Sequence, residues 1–461
     1  MIAPYITLEK IQQYLPSAKL SEVSEAYLTK PLVTISTDSR TIKEDDFFIA
    51  LCGDSFDGNR FLNEVFSKGA FAALASDQTQ TVIKRPLMIV ENTLTAMQQI
   101  AKSWRQELQT KVSVVTGSNG KTTVKEMIAA IFKQALGSDL VLATTGNLNN
   151  EIGLPLTLLK LHRHHQLAVL EIGMNHPGEI APLSEMVRPH VAMLTTVAPA
   201  HLEAFESLEG IAREKADIVA GLMPGGAAIL PADVPTIDIL VQAALAKGAT
   251  IVGFGETADA FRLTALEMHH DVTVIQARLR GAPAVLRLNT LGRHFAVNAM
   301  GVLAAVEALS GDPTRAAVDL FRWHPPAGRG RRETVSLDPA DTNACFELID
   351  DAYNANPASM AAALEVLAAC DPQEQKGQRL RRIAILGDML ELGQEEAQCH
   401  AQLASNNYLL TVDVVHCVGP RMRACYDALP AAIRGRWVQE AQELASGLGE
   451  LIAPGDRVLV K

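Results

Sequence analysis

At 461 residues the chain exceeds one ordinary core, and its length points to about three domains of roughly 150 residues. A hydrophobic content of 48% marks a globular protein, and a net charge of −11 argues against a nucleic-acid or acidic-membrane partner, leaving room for a local basic site that holds a phosphorylated ligand. Cys52, Cys345, Cys370, Cys399, Cys417 and Cys425 form no CxxC pair and no metal-ligand spacing, so they read as buried free thiols in a reducing compartment.

The opening MIAPYITLEKIQQYL lacks a basic region ahead of a long apolar core, and no run of about 18 apolar residues occurs, so neither signal peptide nor membrane span is expected. Residues 1 to about 90 contain a helix-like Leu8 to Tyr14 and strand-like Leu32 to Thr37, Phe47 to Leu51 and Ala70 to Ala75. Between them lie two turn-rich clusters, Thr37 to Arg40 and Gly53 to Asn59, whose Asp, Ser, Gly and Asn are what turns require. A helix from about Leu94 to Leu108 follows, so the first boundary is placed near residue 90.

Val112 to Thr123, VSVVTGSNGKTT, is the pivot of the chain. A buried β-branched strand runs through a glycine turn into a helix whose apolar residues Val124, Met127, Ile128, Ile131 and Phe132 share one face. Gly117 and Gly120 let consecutive amides point at one anion near a helix N-terminus. Lys121 adds a charge for the outer phosphates, and the Thr122 hydroxyl suits the Mg²⁺ that accompanies a nucleoside triphosphate. The spacing is GxxGKT, with Val115 where the general phosphate loop has an earlier glycine.

From there to about residue 328 strands alternate with helices, which predicts a mainly parallel sheet covered on both faces, with ligands at the carboxyl ends of its strands. Leu167 to Asn175 ends a strand in Glu171, a carboxylate placed to hold Mg²⁺. His190 to Glu203 opens another strand into a loop carrying His201. In the next helix Ser207 is the expected N-cap, and Lys215 shares an apolar stripe with Ile211, Ile218 and Leu222. Either its stem snorkels, or a desolvated amine reacts; capture of CO₂ as a carbamate turns it into an anion able to serve a second Mg²⁺. Residues 225 to 290 look β-rich. Asn298, in the helix opened by LGRHFAVNA, faces either the nucleotide or its own Ala-rich helix. PPAGRGRR, Pro325 to Arg332, is the clearest linker, and Arg329 on it is placed to reach a triphosphate.

Beyond about residue 329 the alternation resumes as a smaller Rossmann-like unit, with strands at Cys345 to Ile349, Arg382 to Leu386, Val412 to Val418 and Asp456 to Val460, and a helix at Ser359 to Ala369. Two of these strands end in polar clusters, Asp350 to Pro357 and Gly387 to Gly393. Asp351 reads as a ribose ligand or as a helix cap.

Taken together, TGSNGKTT, TGNLNNEIGLP (Thr145 to Pro155), LEIGMNHPGEI (Leu170 to Ile180), AHLEAF (Ala200 to Phe205), REK ending at Lys215, LGRHFAVNA, DDAYNANPASM and LGDMLELG resemble the Mur ligases, from about residue 33 to the end. The resemblance implies three α/β domains: an N-terminal UDP-substrate domain (1–90), a central ATP-binding domain with a mainly parallel sheet (91–328) and a C-terminal Rossmann-like domain that brings the amine (329–461). It further implies a cytoplasmic, monomeric enzyme of peptidoglycan synthesis that adds D-alanyl-D-alanine to UDP-N-acetylmuramoyl-tripeptide through an acyl phosphate.

For the site, the resemblance implies ATP held by Gly117, Ser118, Asn119, Gly120, Lys121, Thr122, Thr123, Asn298, Arg329 and Asp351. One Mg²⁺ falls to Thr122 and Glu171 and a second to His201 and carbamylated Lys215, these with Lys121 being the catalytic set. Ser39, Arg40, Asp57 and Asn59 face the UDP moiety. Thr145, Asn149 and Asn150 line the muramoyl-peptide site, and Asn354 and Asn356 contact substrate from the last domain. Three departures stand out: Thr196 where the family commonly has Asn, Leu230-Pro231-Ala232-Asp233 in place of Asn-Ala-Asp, and a stop at Lys461 where relatives continue with Gly-Ser and a final helix, which implies either a weakened last domain or an incomplete sequence. A folylpolyglutamate-synthase-like ligase and a phosphate-loop nucleotide switch are the rival readings.

Overall fold

The Val112 to Val115 run becomes an interior strand of the largest sheet, third from one edge. A computed structural model describes residues 6–21, 23–53, 56–76, 85–199, 202–205, 207–269, 271–370, 374–375 and 378–461. Three large sheets follow one another along the chain.

The first sheet is built from Lys19–Leu20 (β1), Ile35–Ser36 (β2), Phe47–Ile49 (β3), Ala72–Ala75 (β4) and Leu87–Ile89 (β5), in the order β1-β5-β4-β3-β2. The strand expected over Leu32 to Thr37 shrinks to two residues, because the polar cluster after it turns the chain at once. Leu8–Tyr14 (α1) forms as expected, capped by the Thr7 hydroxyl on Lys10 N. Thr93–Glu107 (α2) then joins this sheet to the next. Its Trp104 indole donates to Leu161 O at 2.9 Å and its Arg105 guanidinium to Val187 O at 2.8 Å. One continuous apolar core therefore runs from Ile6 through α2 to Leu240 and Ala244, with no seam between the first sheet and the second.

The second sheet comprises Lys111–Thr116 (β6), Val141–Ala143 (β7), Leu167–Glu171 (β8), Val191–Leu194 (β9), Ala227–Pro231 (β10), Thr250–Gly255 (β11), Phe261–His269 (β12), Val272–Leu279 (β13) and Ala282–Leu288 (β14). Their order is β14-β13-β12-β11-β10-β9-β6-β8-β7. Every pair from β7 to β12 is parallel, and only the β12–β13–β14 end is antiparallel. Lys121–Leu136 (α3) and Arg293–Ala308 (α7) cover one face, burying Val124, Met127, Ile128, Ile131 and Phe132 at the helical spacing. Gly153–Leu158 (α4), Ile180–Val187 (α5) and Leu208–Ala216 (α6) lie on the other. Such double cover explains why β6, β8 and β9 are apolar on both sides.

The third sheet has Arg331–Ser336 (β15), Cys345–Asp350 (β16), Arg382–Gly387 (β17), Val414–Val418 (β18), Arg434–Val438 (β19) and Arg457–Val460 (β20), in the order β15-β16-β20-β17-β18-β19. All but β15 run parallel. Pro357–Ala369 (α8) starts on an Asn356 capping box with Pro357 in its first turn. Lys461 continues β20, its N–H on Ile385 O and its carbonyl taking Gly387 N.

The expectation of six buried thiols is corrected: Cys370, Cys417 and Cys425 are buried, Cys345 and Cys399 are half-buried, and Cys52 is exposed in a polar turn. No helix among the described residues is long and apolar enough to cross a membrane.

Candidate active site

Parallel register brings three strand ends level. Glu171 stands opposite Val115, and Leu194 opposite Thr116, so the segments leaving β6, β8 and β9 converge on one edge. The glycine loop leaves β6 there. Gly117 (φ 146°) and Gly120 (φ 79°) both take left-handed backbone conformations. A Cβ on Gly117 would run into the Thr195 hydroxyl, and one on Gly120 would sit 2.8 Å from Asn298 Nδ2.

The loop is pinned from β9. Thr195 Oγ1 donates to the Asn119 carbonyl, Ser118 N–H donates to Thr196 O at 2.9 Å, and the Ser118 hydroxyl exchanges bonds with both backbone groups of Ala198. Because Thr196 contributes only its carbonyl to this contact, the departure from Asn leaves the bond in place. Asp233 likewise serves locally, capping the turn at Glu256 and Thr257.

A hydroxyl–carboxylate–amide chain crosses the front of the loop. Thr122 Oγ1 donates to Glu171 Oε2 at 2.8 Å, and Asn149 Nδ2 donates to Glu171 Oε1 at 2.7 Å. Thr144 Oγ1 accepts from Glu171 N–H at 3.0 Å, while its carbonyl takes the buried Lys125 ammonium. Glu171 and Thr122 offer hard oxygen ligands beside a phosphate loop, which is the donor set that suits Mg²⁺. Thr123 is buried beneath them.

Lys121 Nζ folds back on the Gly117 carbonyl at 2.8 Å. Burial lowers its pKa, Glu171 opposes that shift, and Arg329 adds to it. Lys215 is 2% exposed, so its stem does not snorkel. Its pKa falls well below the ordinary lysine value, first through burial and then through the Lys121 charge, with Glu214 partly offsetting both. The Glu214 carboxylate meanwhile accepts Gly178 N–H and Ile180 N–H, fixing α6 against the start of α5.

The third sheet supplies the opposite wall. Asp350 Oδ2 accepts Gly328 N–H at 2.7 Å, folding the linker so that the Arg329 guanidinium stacks 3.8 Å over the Tyr353 ring. Asp351 pairs with Lys461 at 2.8 Å. Burial raises the Asp351 pKa, and Lys461 and then Arg329 pull it back. Asn356 bonds reciprocally with Asn119, and Asn298 lies over Gly120 from α7. Lys121, Arg329 and Lys461 lie near enough to act on one another, with Lys215 beside Lys121 and with Glu171 and Asp351 as the acids among them. Such an arrangement favours an anion.

Other expected residues are placed apart. Thr145 is exposed, Asn150 caps the start of α4 through Gly153 N–H, and the exposed Asn354 gives its carbonyl to Lys461. In the first sheet Arg40 binds Asp38 in fork geometry, holding that carboxyl at about 2, and Ser39 O takes Lys68. Asp57 accepts Asn59 N–H, and buried Asn59 ties Cys52, Asp57 and Ser76 together. No hydrogen bond or ion pair joins these two clusters to the glycine loop among the described residues. His201 lies outside the described residues.

Sequence reasoning passed over Thr144, Thr195, Asp350, Tyr353 and Lys461. Lys461 carried a usable signal, a charge at the carboxyl end of an apolar strand, by the same logic that singled out Glu171. The hydroxyls of Thr144 and Thr195 carried none.

Two family descriptions match the chain: the Mur ligase middle domain over residues 115–306 and the Mur ligase glutamate ligase domain over 330–461. The chain belongs to the Mur ligase family. A UDP-N-acetylmuramoyl-tripeptide–D-alanyl-D-alanine ligase of Escherichia coli (strain K12) is 37% identical over 85% of this chain and 82% of its own length. Among solved structures, MurF from Acinetobacter baumannii superposes with a TM-score of 0.85 at 30% identity, covering 100% of this chain and 96% of that one. MurF from Thermotoga maritima in complex with ADP gives 0.78 at 25% identity, with 93% of each chain covered. The Mur ligase fold accounts for three successive α/β sheets with the glycine loop at the edge shared by the second and third.

Proposed function

We propose that this chain is the ATP-dependent ligase that joins D-alanyl-D-alanine to UDP-N-acetylmuramoyl-tripeptide, acting as a cytoplasmic monomer in three domains, 1–90, 91–328 and 329–461. The observation that carries the reading is the glycine loop held between two walls, with Thr122 on Glu171 at 2.8 Å on one side and the reciprocal Asn119–Asn356 bonds on the other, which suits a triphosphate held between two domains. The E. coli relative's name supplies the substrates.

In this mechanism the tripeptide carboxylate attacks the ATP γ-phosphorus, the bond to the ADP oxygen breaks, and an acyl phosphate forms. The dipeptide amine then attacks the acyl carbon, losing a proton as phosphate leaves with the C–O bonding pair. The amides of Gly117 to Thr123 cradle the phosphates, and Lys121 moves from the Gly117 carbonyl to the transferring phosphoryl group. Arg329 meets the same charge from the opposite wall, and Asn298 contacts the nucleotide. Thr122 and Glu171 would hold Mg²⁺, which would supply neutralisation of phosphate charge. Asn149 steadies Glu171; with Thr145 and Asn150 it borders the muramoyl-peptide site, while Asn354 and Asn356 border the amine.

Lys215 supports the carbamate reading because it is buried, its pKa is pushed well below the ordinary lysine value by burial and then by Lys121, and it has no hydrogen bond among the described residues. Its neutral amine would add to CO₂ with loss of one proton, giving an anion that, with His201, serves a second Mg²⁺. Ser39, Arg40, Asp57 and Asn59 are read as the UDP side of the first domain. Closure of the walls keeps water from the acyl phosphate.

Product formation with the diaminopimelate and the lysine tripeptide, each with and without D-alanyl-D-alanine, tests the assignment. Amide product is expected only with both substrates present, and ADP release at full speed without peptide refutes it.

A further inference from the structure

Lys461 is among the most enclosed charges at the cleft. Its side chain is 4% exposed, whereas that of Asp351, with which it pairs, keeps 21%. The lysine therefore lies behind and the carboxylate in front. Nζ donates to Asp351 Oδ2 and to the Asn354 carbonyl, both at 2.8 Å. Backbone bonds fix both residues: Asp351 N–H donates to Val460 O at 3.0 Å, and Lys461 is bonded on both sides to β17. They stand at the carboxyl ends of the neighbouring parallel strands β16 and β20, where ligands gather in such sheets.

The open carboxylate oxygen, Oδ1, has no hydrogen bond among the described residues. Asp350 and Arg329 are the other charges that act on Asp351, and Arg329 and His294 face Lys461. Arg329 links this pair to Lys121 and hence to the glycine loop. A carboxylate braced by a more enclosed lysine, with one acceptor oxygen left unused, suits a ligand with adjacent hydroxyl donors.

Resting on the nucleotide reading of the cleft, we infer that Lys461 is a positioning residue for the ribose of ATP: it braces Asp351 so that the open carboxylate face accepts hydrogen bonds from the 2′- and 3′-hydroxyls. An ordinary buried ion pair would serve packing alone, and its loss would weaken every nucleotide equally. The ribose role makes a different demand.

The test is calorimetric titration of the full chain with ADP, 2′-deoxy-ADP and 3′-deoxy-ADP, for the wild type, Lys461→Met and Lys461→Arg. Wild-type protein is expected to prefer ADP over either deoxy analogue by about tenfold or more, the scale of one hydrogen bond to a charged group. In Lys461→Met that preference collapses toward unity because only ADP binding weakens; Lys461→Arg keeps most of it. Lys461→Gln gives the same comparison where Met is not tolerated. Equal weakening of all three nucleotides, or an unchanged preference in Lys461→Met, overturns the role of Lys461 while leaving the nucleotide site standing. Failure of the wild type to bind ADP at all removes the site and this role together.

Discussion

The side-chain amides of Asn119 and Asn356 bond to each other in both directions, at 3.2 Å and 2.7 Å, joining the glycine loop to the first turn of α8. Asn356 is also the N-cap of that helix, so one side chain fixes the helix start and its register on the loop. Asp caps as well as Asn does. Each single change, Asn119→Asp or Asn356→Asp, therefore keeps one amide-to-carboxylate bond, and a modest rise in the KM for the amine substrate is expected. With both changes two carboxylates face each other, and the loss should exceed the product of the single effects by about tenfold, from about 1 kcal/mol or more of repulsion. A strictly multiplicative double mutant would show that the pair does not couple the domains.

Lys121 gives the sharpest test of the phosphate loop. Among the described residues its amine bonds only to the Gly117 carbonyl, so Lys121→Ala removes little that holds the fold together. Unfolding should be nearly unchanged while turnover falls about 10²- to 10³-fold, the usual consequence of losing one preorganised contact to transition-state charge. Thermal melts alongside steady-state rates decide it, and a normal rate would discredit the loop's role.

How much of the fold and site is legible in the sequence depends on how far apart the bonded partners lie in the chain. The glycine loop, Glu171 and Lys215 are legible because each breaks a local pattern: two glycines between strand and helix, a charge closing an apolar strand, a lysine in an apolar stripe. Thr144 and Thr195 look like any strand-end threonine, and they matter only because folding brings Glu171 and Thr116, distant in sequence, within reach of their hydroxyls. Tyr353 likewise needs the Gly328 turn to bring Arg329 over its ring. In the first domain the turn chemistry of Asp38 to Arg40 is legible for the same local reason, since the bonds it makes span two residues.

Lys215 distinguishes a reactive amine from a structural cation. With burial and Lys121 both favouring its neutral form, Lys215→Ala is expected to be nearly inactive and to regain part of its rate when small carboxylates are added. Lys215→Arg, always charged, should not be rescued. Full activity of Lys215→Ala without additives would remove the carbamate proposal, and ¹³C-bicarbonate labelling of the wild type provides a readout independent of turnover.

Acid should weaken the fold through histidines that are buried neutral. His165 is pushed down to about 4 by burial and by His164 and His162, whose tilted rings lie 4.4 Å and 5.7 Å from it. His294 is pushed down to about 4 by burial and by Lys461. Both start from an ordinary value near 6.5, so between about pH 6.5 and 4 the unfolded chain binds protons that the folded one refuses. Stability from these rings is complete above the upper value, is lost as pH falls through the window, and changes no further below the lower one. Each ring contributes of order 1–3 kcal/mol, discounted for its partial exposure. Urea unfolding at half-unit steps of pH should show this slope in the wild type and a shallower one in His165→Gln. An identical slope in the variant would assign the acid sensitivity to other groups.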